Sequence, residues 1–160
     1  DGTQGYVYAP FTGAGEHEPL TTDDFAVGYA ALGERFDEQQ AQEKLGKVMK
    51  QVIDKKTKAS SYTYKYVIIG TKKQKITSIR VFDPKYITMR GVSVGDNAAR
   101  AVGQYGVPDA VVYGAGITGK TIYEYFLPTE NKKQRLRFAL DVDKDSRVQA
   151  IILELQQVKK

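Results

Sequence analysis

One pattern occurs twice in this chain and constrains its fold more than any other feature. A short apolar segment ends at Gly95–Asp96, a compact helical segment follows, and Gly106 ends it. The pair Gly33–Glu34 lies 62 positions earlier, and a second helical segment follows it and ends before Gly46. We therefore interpret the chain as two copies of one unit, residues 23–84 and 85–160, after an irregular arm at residues 1–22.

Each copy is predicted to contain one short helix followed by antiparallel strands. Residues 37–45 are rich in Gln, Glu and Ala, and residues 96–105 carry an apolar stripe at helical spacing. Residues 48–54 are ambiguous, because Leu45, Val48 and Val52 would also suit a helix that continues through Gly46; the glycine favours a strand. Alternating and β-branched residues predict the remaining strands at 61–69, 76–83, 110–113, 121–127, 135–142 and 148–156.

These elements predict an α+β fold. We expect one continuous curved antiparallel sheet of about seven strands, with the short helices packed on one of its faces and the two copies forming a single compact domain. The first copy is expected to have one strand fewer than the second, because residues 61–69 are interpreted as one uninterrupted strand.

Composition excludes several classes of site and leaves location open. The chain is 41% hydrophobic, has no cysteine and has no apolar run near the ~20 residues that span a bilayer, so we expect neither disulfides nor a transmembrane segment. It begins at Asp1 without a methionine, so we expect that a segment was removed, either by processing, as for a signal or lipoprotein leader, or by the choice of the expressed segment. The net charge of +5 comes from lysine clusters that alternate with acids, which does not favour nucleic-acid binding.

Two segments resemble metal sites only in part. The single histidine, His17, lies between glutamates, and no second histidine or any cysteine exists to complete a zinc site. Residues 141–152 begin like a calcium loop, but Ser146 stands where glycine is needed and Ile152 stands where glutamate is needed. We therefore expect no metal, no cofactor and no histidine-dependent catalytic triad.

A glycine-rich loop gives the alternative function. Residues 114–121, GAGITGKT, match the phosphate-binding pattern through Gly114, Gly119, Lys120 and Thr121. That pattern needs a helix immediately after the loop, so that the helix N-terminus faces the phosphates. The following residues, TIYEYFLP, are β-branched and aromatic and end at Pro128, which favours a hairpin connection over a nucleotide or phosphate site.

Tyrosine is the remaining anomaly of the composition, with 11 residues and no tryptophan. Tyrosine favours strands, and it is also enriched at protein interfaces, so both interpretations stay open. A sheet with helices on one face leaves the other face for a partner. The predicted binding surface is therefore an exposed sheet face carrying the strand tyrosines Tyr62, Tyr64, Tyr66, Tyr123 and Tyr125.

Residues 77–96, TSIRVFDPKYITMRGVSVGD, followed by a helix and YGVPD, carry a family resemblance. The pattern T-x-R-G-[IV]-x-[IV]-G-D and then YG-x-P resembles small secreted bacterial proteins with the β-lactamase-inhibitory-protein-like fold. More distantly, it is similar to the outer-membrane lipoprotein domain of the BamE kind. The absence of cysteine departs from the inhibitor, and no inhibitory residue can be matched by position.

The resemblance implies tandem helix-and-sheet units, a secreted or cell-surface location that includes a lipoprotein form, and a role in binding another protein. The expected function is accordingly a non-enzymatic protein-binding module of the cell envelope or extracellular space. The alternative is a nucleotide- or phosphate-binding protein, an enzyme included, that uses the glycine-rich loop.

Overall fold

The computed structural model describes residues 18–114 and 120–159, and all structural statements refer to these ranges. Two short helices accompany a large sheet, which agrees with the predicted antiparallel α+β class. In chain order the elements are a 3-10 helix (Thr22–Asp24), β1 (Ala26–Val27), β2 (Ala30–Ala31), α1 (Glu38–Leu45), β3 (Lys50–Asp54), β4 (Ala59–Thr63), β5 (Val67–Lys72), β6 (Lys75–Val81), α2 (Ala98–Tyr105), β7 (Ala110–Tyr113), β8 (Thr121–Pro128), β9 (Gln134–Val142) and β10 (Val148–Gln157).

The main sheet is open and has eight strands in the order β3-β4-β5-β6-β10-β9-β8-β7. All neighbours pair antiparallel. Strands β3 to β6 form one meander and β7 to β10 form another, and the two join where Ile79 pairs with Leu153 and Val81 with Ile151. Joining the last strand of each meander leaves the first strands, β3 and β7, at the two edges of the sheet.

Local sequence explains both helices. The Asp37 carboxylate accepts the backbone N–H of Gln40 at the start of α1, and the Asn97 side chain accepts the N–H of Ala99 at the start of α2. The glycines that follow the helices, Gly46 and Gly106, have φ values of 88° and 83°, which favour glycine. The helices predicted at 37–45 and 96–105 are thus confirmed, and residues 50–54 form a strand.

Both helices cover the same face of the sheet. Ala41 of α1 and Ala101 of α2 are fully buried and belong to one hydrophobic cluster with the central strands. Alanine lets a helix backbone approach a strand closely, so the large side chains beneath it fill the layer. The fully buried ones include Phe138, Leu140, Ile69, Ile79, Ile151 and Leu153. The predicted placement of helices on one face is confirmed.

The single strand predicted at 61–69 is wrong. Residues 59–72 form a hairpin of β4 and β5, in which the N–H of Tyr64 donates to the carbonyl of Val67 at 2.8 Å. Lys65 and Tyr66 make the two-residue turn without the glycine, proline or asparagine that usually marks one. The main sheet consequently has eight strands instead of about seven, and each meander has four.

A small accessory layer precedes α1. Strands β1 and β2 pair with each other, and Val27 forms an isolated bridge with Thr88. Phe25, at the start of this layer, is almost completely buried in the main cluster. The first described residues are thereby packed against the same core as the two meanders.

Candidate functional site

The edge strand β3 exposes every one of its five residues. Val52 is 51% exposed, Ile53 is 59% exposed, and Met49 immediately before the strand is 71% exposed. Successive side chains of a strand point to opposite faces, so apolar groups stand on both sides of this edge. An edge strand also presents unpaired backbone N–H and C=O groups. β3 therefore offers both hydrogen-bonding groups and apolar contacts to an additional strand.

Lysines surround this apolar edge. Lys50 lies on β3, and Lys55 and Lys56 begin the turn that follows it. Charged side chains on an edge oppose pairing between identical copies, because like charges meet. The edge is therefore open to a partner of opposite charge while its lysines disfavour self-association.

A groove of about 810 Å³ lies beside β3 on the helix side of the sheet. Its apolar wall consists of Ile53 and two aromatic rings, Phe36 and Tyr62, whose centroids are 4.5 Å apart. Ser60 of β4 and Thr71 of β5 also line it. The groove is continuous with the edge strand because Ile53 belongs to both.

Two hairpin turns form the cationic rim of this groove. Lys58 ends the β3–β4 turn with φ 62°, and Lys73 and Gln74 make the β5–β6 turn with φ 51° and 67°. The N–H of Lys73 donates to the carbonyl of Lys58 at 3.1 Å, which joins the two turns. Left-handed backbone costs a non-glycine residue free energy, and such residues cluster at functional sites. The rim thus has a defined backbone geometry.

The rim carries more positive than negative charge. Four cationic side chains line the groove, and the acidic ones are Glu38 and Asp54. The Asp54 carboxylate accepts the backbone N–H groups of Lys56 and Thr57. Its hydrogen bonds, those with Thr57 foremost, hold the pKa of Asp54 below its usual value. The rim cations are Arg35, Lys55, Lys58 and Lys73. None of them forms an ion pair within 4.0 Å with another described residue.

A buried tyrosine cluster supports the inner end of the groove. Burial, and then the hydrogen bond and charge of Glu38, raise the pKa of Tyr62. Burial raises the pKa of Tyr64 too, and the Glu38 charge adds to it. Burial likewise raises the pKa of Tyr29, whose buried hydroxyl has no hydrogen-bond partner among the described groups. All three phenols are neutral at physiological pH, so they act as packing groups.

The prediction that the strand tyrosines lie on an exposed sheet face is wrong. Tyr62, Tyr64 and Tyr125 are buried, and Tyr66 and Tyr123 are partly buried against the main core. The alternation that aligns these residues selects the sheet face covered by the helices. Tyr62 alone among them lines the groove. The opposite, helix-free face carries other side chains instead, and Arg137 there contacts the carboxylates of Glu124 and Glu154.

The glycine-rich loop joins two strands at its described ends. Tyr113 pairs with Thr121, and the N–H of Gly114 donates to the carbonyl of Lys120 at 2.9 Å. Thr121 begins β8, so the described residues that follow the loop form a strand, where the phosphate-binding pattern requires a helix. Lys120 lies 3.7 Å from the Asp141 carboxylate. Gly119 lies outside the described residues.

The described ranges contain neither an assembled metal-binding cluster nor a helix suited to crossing a membrane. No group of three or more His, Cys, Asp or Glu side chains there is arranged to hold a metal ion, and His17 lies outside these ranges. Neither helix of the described part is long and apolar enough to cross a membrane.

The position of β3 as an exposed edge strand was not predicted from the sequence. The residues KVMKQVIDKK place apolar side chains between lysines, which is typical of an edge strand. The ambiguity between helix and strand at 48–54 obscured this signal. The edge position itself depends on the pairing of β6 with β10, which no local pattern encodes.

No family model matches this chain, and no curated protein matches it. Parts of three solved bacterial structures are similar to it. They are a cysteine-rich secretory protein from Staphylococcus aureus (16% identity, TM-score 0.45, 77% of this chain and 42% of that one), an extracellular protein containing an SCP domain from Bacillus anthracis (10%, 0.49, 86% and 48%), and a DUF4309 family protein from Bacillus subtilis (14%, 0.41, 74% and 78%).

The chain spans less than half the length of the first two of these proteins. With TM-scores below 0.5, the similarities give this chain neither a function nor a location. The resemblance to β-lactamase-inhibitory-protein-like and BamE-like proteins is not confirmed by them and stays a prediction.

Proposed function

We propose that this chain is a non-enzymatic protein-binding module that captures an extended segment of a partner protein as an additional strand on β3. The observation that carries this proposal is that every residue of β3 is exposed, including the apolar residues Val52 and Ile53. The protein-binding function expected from the sequence is kept. The proposed binding surface is the edge strand β3 and no longer the face that carries the strand tyrosines.

Strand addition combines two sources of affinity. Backbone N–H and C=O groups on the free side of β3 would pair with those of the partner, and such pairing is indifferent to sequence. Side-chain contacts then select the partner, because alternate residues of an added strand meet the two faces of the sheet. Burying what is exposed of Val52, Ile53 and Met49 would contribute about 1 kcal/mol for each side chain.

A displayed library of random ten-residue peptides, selected on the immobilised protein, tests the proposal. The selected peptides are then tested for binding to two variants in which lysine replaces an exposed isoleucine. The variants are Ile53→Lys on β3 and Ile87→Lys in the β6–α2 connection. The two side chains are 59% and 56% exposed in the wild-type protein, so the variants are matched in chemistry and exposure.

We expect selected peptides to bind the wild type and Ile87→Lys equally and to lose at least about tenfold in affinity for Ile53→Lys, since about 1.4 kcal/mol corresponds to tenfold. Hydrogen exchange at residues 50–54 should slow when peptide is bound. Peptides that bind Ile53→Lys as tightly as the wild type, or that protect amides away from β3, would contradict the proposal.

Two finer statements belong to the same proposal. The two meanders are proposed to be copies of one ancestral unit, supported by the equal order of one helix and four strands in each. A secreted or cell-surface location, including a lipid-anchored form, is proposed from the resemblance of residues 77–96. Fractionating the producing cells into medium, membrane and cytosol tests the location, and recovery in the cytosol alone would rule it out.

A further inference from the structure

We infer that the partner segment bound at β3 carries a large apolar or aromatic side chain and an acidic side chain two residues away, both directed into the groove beside β3. This inference rests on the proposed strand addition. It defines the class of partner as an acidic extended peptide. It follows from the aromatic and cationic lining of the groove on one face of β3 and from the lack of excess positive charge on the other face.

Strand geometry decides which peptide side chains enter the groove. A residue paired opposite Ile53 places its side chain on the same face as Ile53, which is the groove face. In a peptide antiparallel to β3, the residue before this one lies beside Asp54 and points to the opposite face, and the residue before that lies beside Lys55 and returns to the groove. Residues at spacing two therefore share the groove.

The aromatic preference comes from the wall of the groove. A side chain opposite Ile53 meets that isoleucine and the adjacent rings of Phe36 and Tyr62. Aromatic rings gain from edge and offset contacts with other rings beyond the area that they bury. A large apolar or aromatic residue thus fills the groove better than a polar one.

The acidic preference comes from the rim. Beyond Ile53, toward the β3–β4 turn, the groove face is bounded by Lys55, Lys58 and Lys73. These ammonium groups have no ion-pair partner within 4.0 Å among the described residues. A carboxylate two residues from the aromatic anchor would lie on this face among several cations, whose attraction adds.

The opposite face lacks this charge excess. Val52 pairs with Ser61, and Ser61 pairs with Gly70, so the residue beside Val52 meets a flat surface of small side chains. The neighbours of Val52 along that side of β3 are the cation Lys50 and the anion Asp54, and the Asp54 carboxylate, which also reaches the lining of the groove, lies between Ile53 and Lys55. An acidic residue directed there gains little, so the spacing of acid and aromatic matters.

Two fluorescein-labelled peptides of identical composition test the inference by anisotropy. Both have eight residues in the same threonine–valine background; one contains Glu-Thr-Phe, which places glutamate on the turn side of phenylalanine in an antiparallel strand, and the other contains Thr-Glu-Phe. Sliding of a peptide along β3 cannot interconvert them, because phenylalanine and glutamate share a face only in the first. We expect the first to bind about tenfold more tightly at low salt, with the ratio falling toward one in 0.5 M NaCl.

Matched charge variants locate the effect. Lys55→Gln/Lys58→Gln removes two rim cations, and Lys50→Gln/Lys56→Gln removes two lysines that do not line the groove, with the same change in net charge. The first double variant should bind both peptides equally, and the second should keep the preference for Glu-Thr-Phe. Equal effects of the two double variants would overturn the groove as the source of selectivity.

The remaining outcomes separate this inference from the proposed function. Equal binding of both peptides that Ile53→Lys abolishes would overturn the acidic pattern and leave strand addition standing. Failure of both peptides to bind, while library-selected peptides bind β3, would also overturn the acidic pattern alone. A dimer in sedimentation that Ile53→Lys dissociates would identify a second copy of the chain as the occupant and overturn the inference.

Discussion

Arg90 and Asp24 form a two-pronged ion pair that joins the first described residues to the connection between β6 and α2. The Arg90 Nε donates to Asp24 Oδ1 at 2.8 Å, and Nη2 donates to Oδ2 at 2.9 Å. The three remaining N–H groups of Arg90 donate to the carbonyls of Glu18, Pro19 and Gln104 at 2.7–3.1 Å. All five donors of the guanidinium are thus used, which only arginine can supply.

Arg90→Lys should lower the free energy of unfolding by about 2–4 kcal/mol. Lysine has three donors and no planar fork, so acceptors around the largely buried Asp24 lose partners. Urea denaturation at pH 7 measures the change. The control is Arg100→Lys, whose partner Asp96 lies in an exposed pair four residues earlier and should cost less than about 1 kcal/mol. Equal, small losses in both variants would show that the geometry of the Arg90 pair is unimportant.

The helices could be predicted because their signals are local. Asp37 and Asn97 each cap the N-terminus of a helix, and Gly46 and Gly106 each adopt the positive φ that ends one. These features involve residues within four positions of each other, so the sequence alone encodes them. The same holds for β9, which is predicted at 135–142 and observed at Gln134–Val142.

The β4–β5 turn could not be predicted in the same way. Tyr62, Tyr64 and Tyr66 continue a period of two straight through the turn, because Lys65–Tyr66 lack turn-forming residues. The burial of these tyrosines could not be predicted either, because alternation identifies residues that share a face but does not indicate which face the helices cover. The position of β3 at the edge of the sheet depends on long-range pairing, so it could be recognised only once the strand order was known.

Tyr105 should lower the stability of the protein at alkaline pH. Burial raises the pKa of Tyr105 to about 12, whereas an unfolded tyrosine titrates near 10. The stability from keeping this phenol neutral is fully present below pH 10 and is lost as pH rises toward 12, because the unfolded chain ionises first. The free energy of unfolding should therefore fall by about 1.4 kcal/mol from this residue between pH 9 and 11.

Tyr105→Phe isolates that contribution. The variant loses the hydrogen bond from the Tyr105 hydroxyl to Thr88 Oγ1, 2.8 Å long, and should be about 1 kcal/mol less stable at pH 8. It has no phenol to ionise at this position, so the gap to the wild type should close and then reverse near pH 11. Urea denaturation across this range measures it, and parallel pH curves for the two proteins would contradict the assignment.

Tyr125 should act on stability and leave peptide binding unchanged. Its buried hydroxyl donates to the carbonyl of Gly106 at 2.7 Å, just past the end of α2, so Tyr125→Phe leaves a buried acceptor unpaired. We expect a loss of about 1–2 kcal/mol. The control, Tyr113→Phe on the edge strand β7, removes a phenol that is 46% exposed and should change stability by less than about 0.5 kcal/mol. A loss of peptide binding in folded Tyr125→Phe would restore this tyrosine as a binding residue.

Gly70 is required by the side chain that faces it across the strands. A Cβ at Gly70 would overlap Ser78 Oγ but lie 3.5 Å from Ser78 Cβ, so the clash is with the hydroxyl alone. Gly70→Ala should therefore cost about 1–3 kcal/mol in the wild type. In a Ser78→Ala background the same substitution should be neutral or stabilise by about 0.5 kcal/mol, because alanine suits a strand better than glycine. A double-mutant cycle by urea denaturation gives the coupling, and additive effects of the two substitutions would show that this contact does not exclude a side chain at position 70.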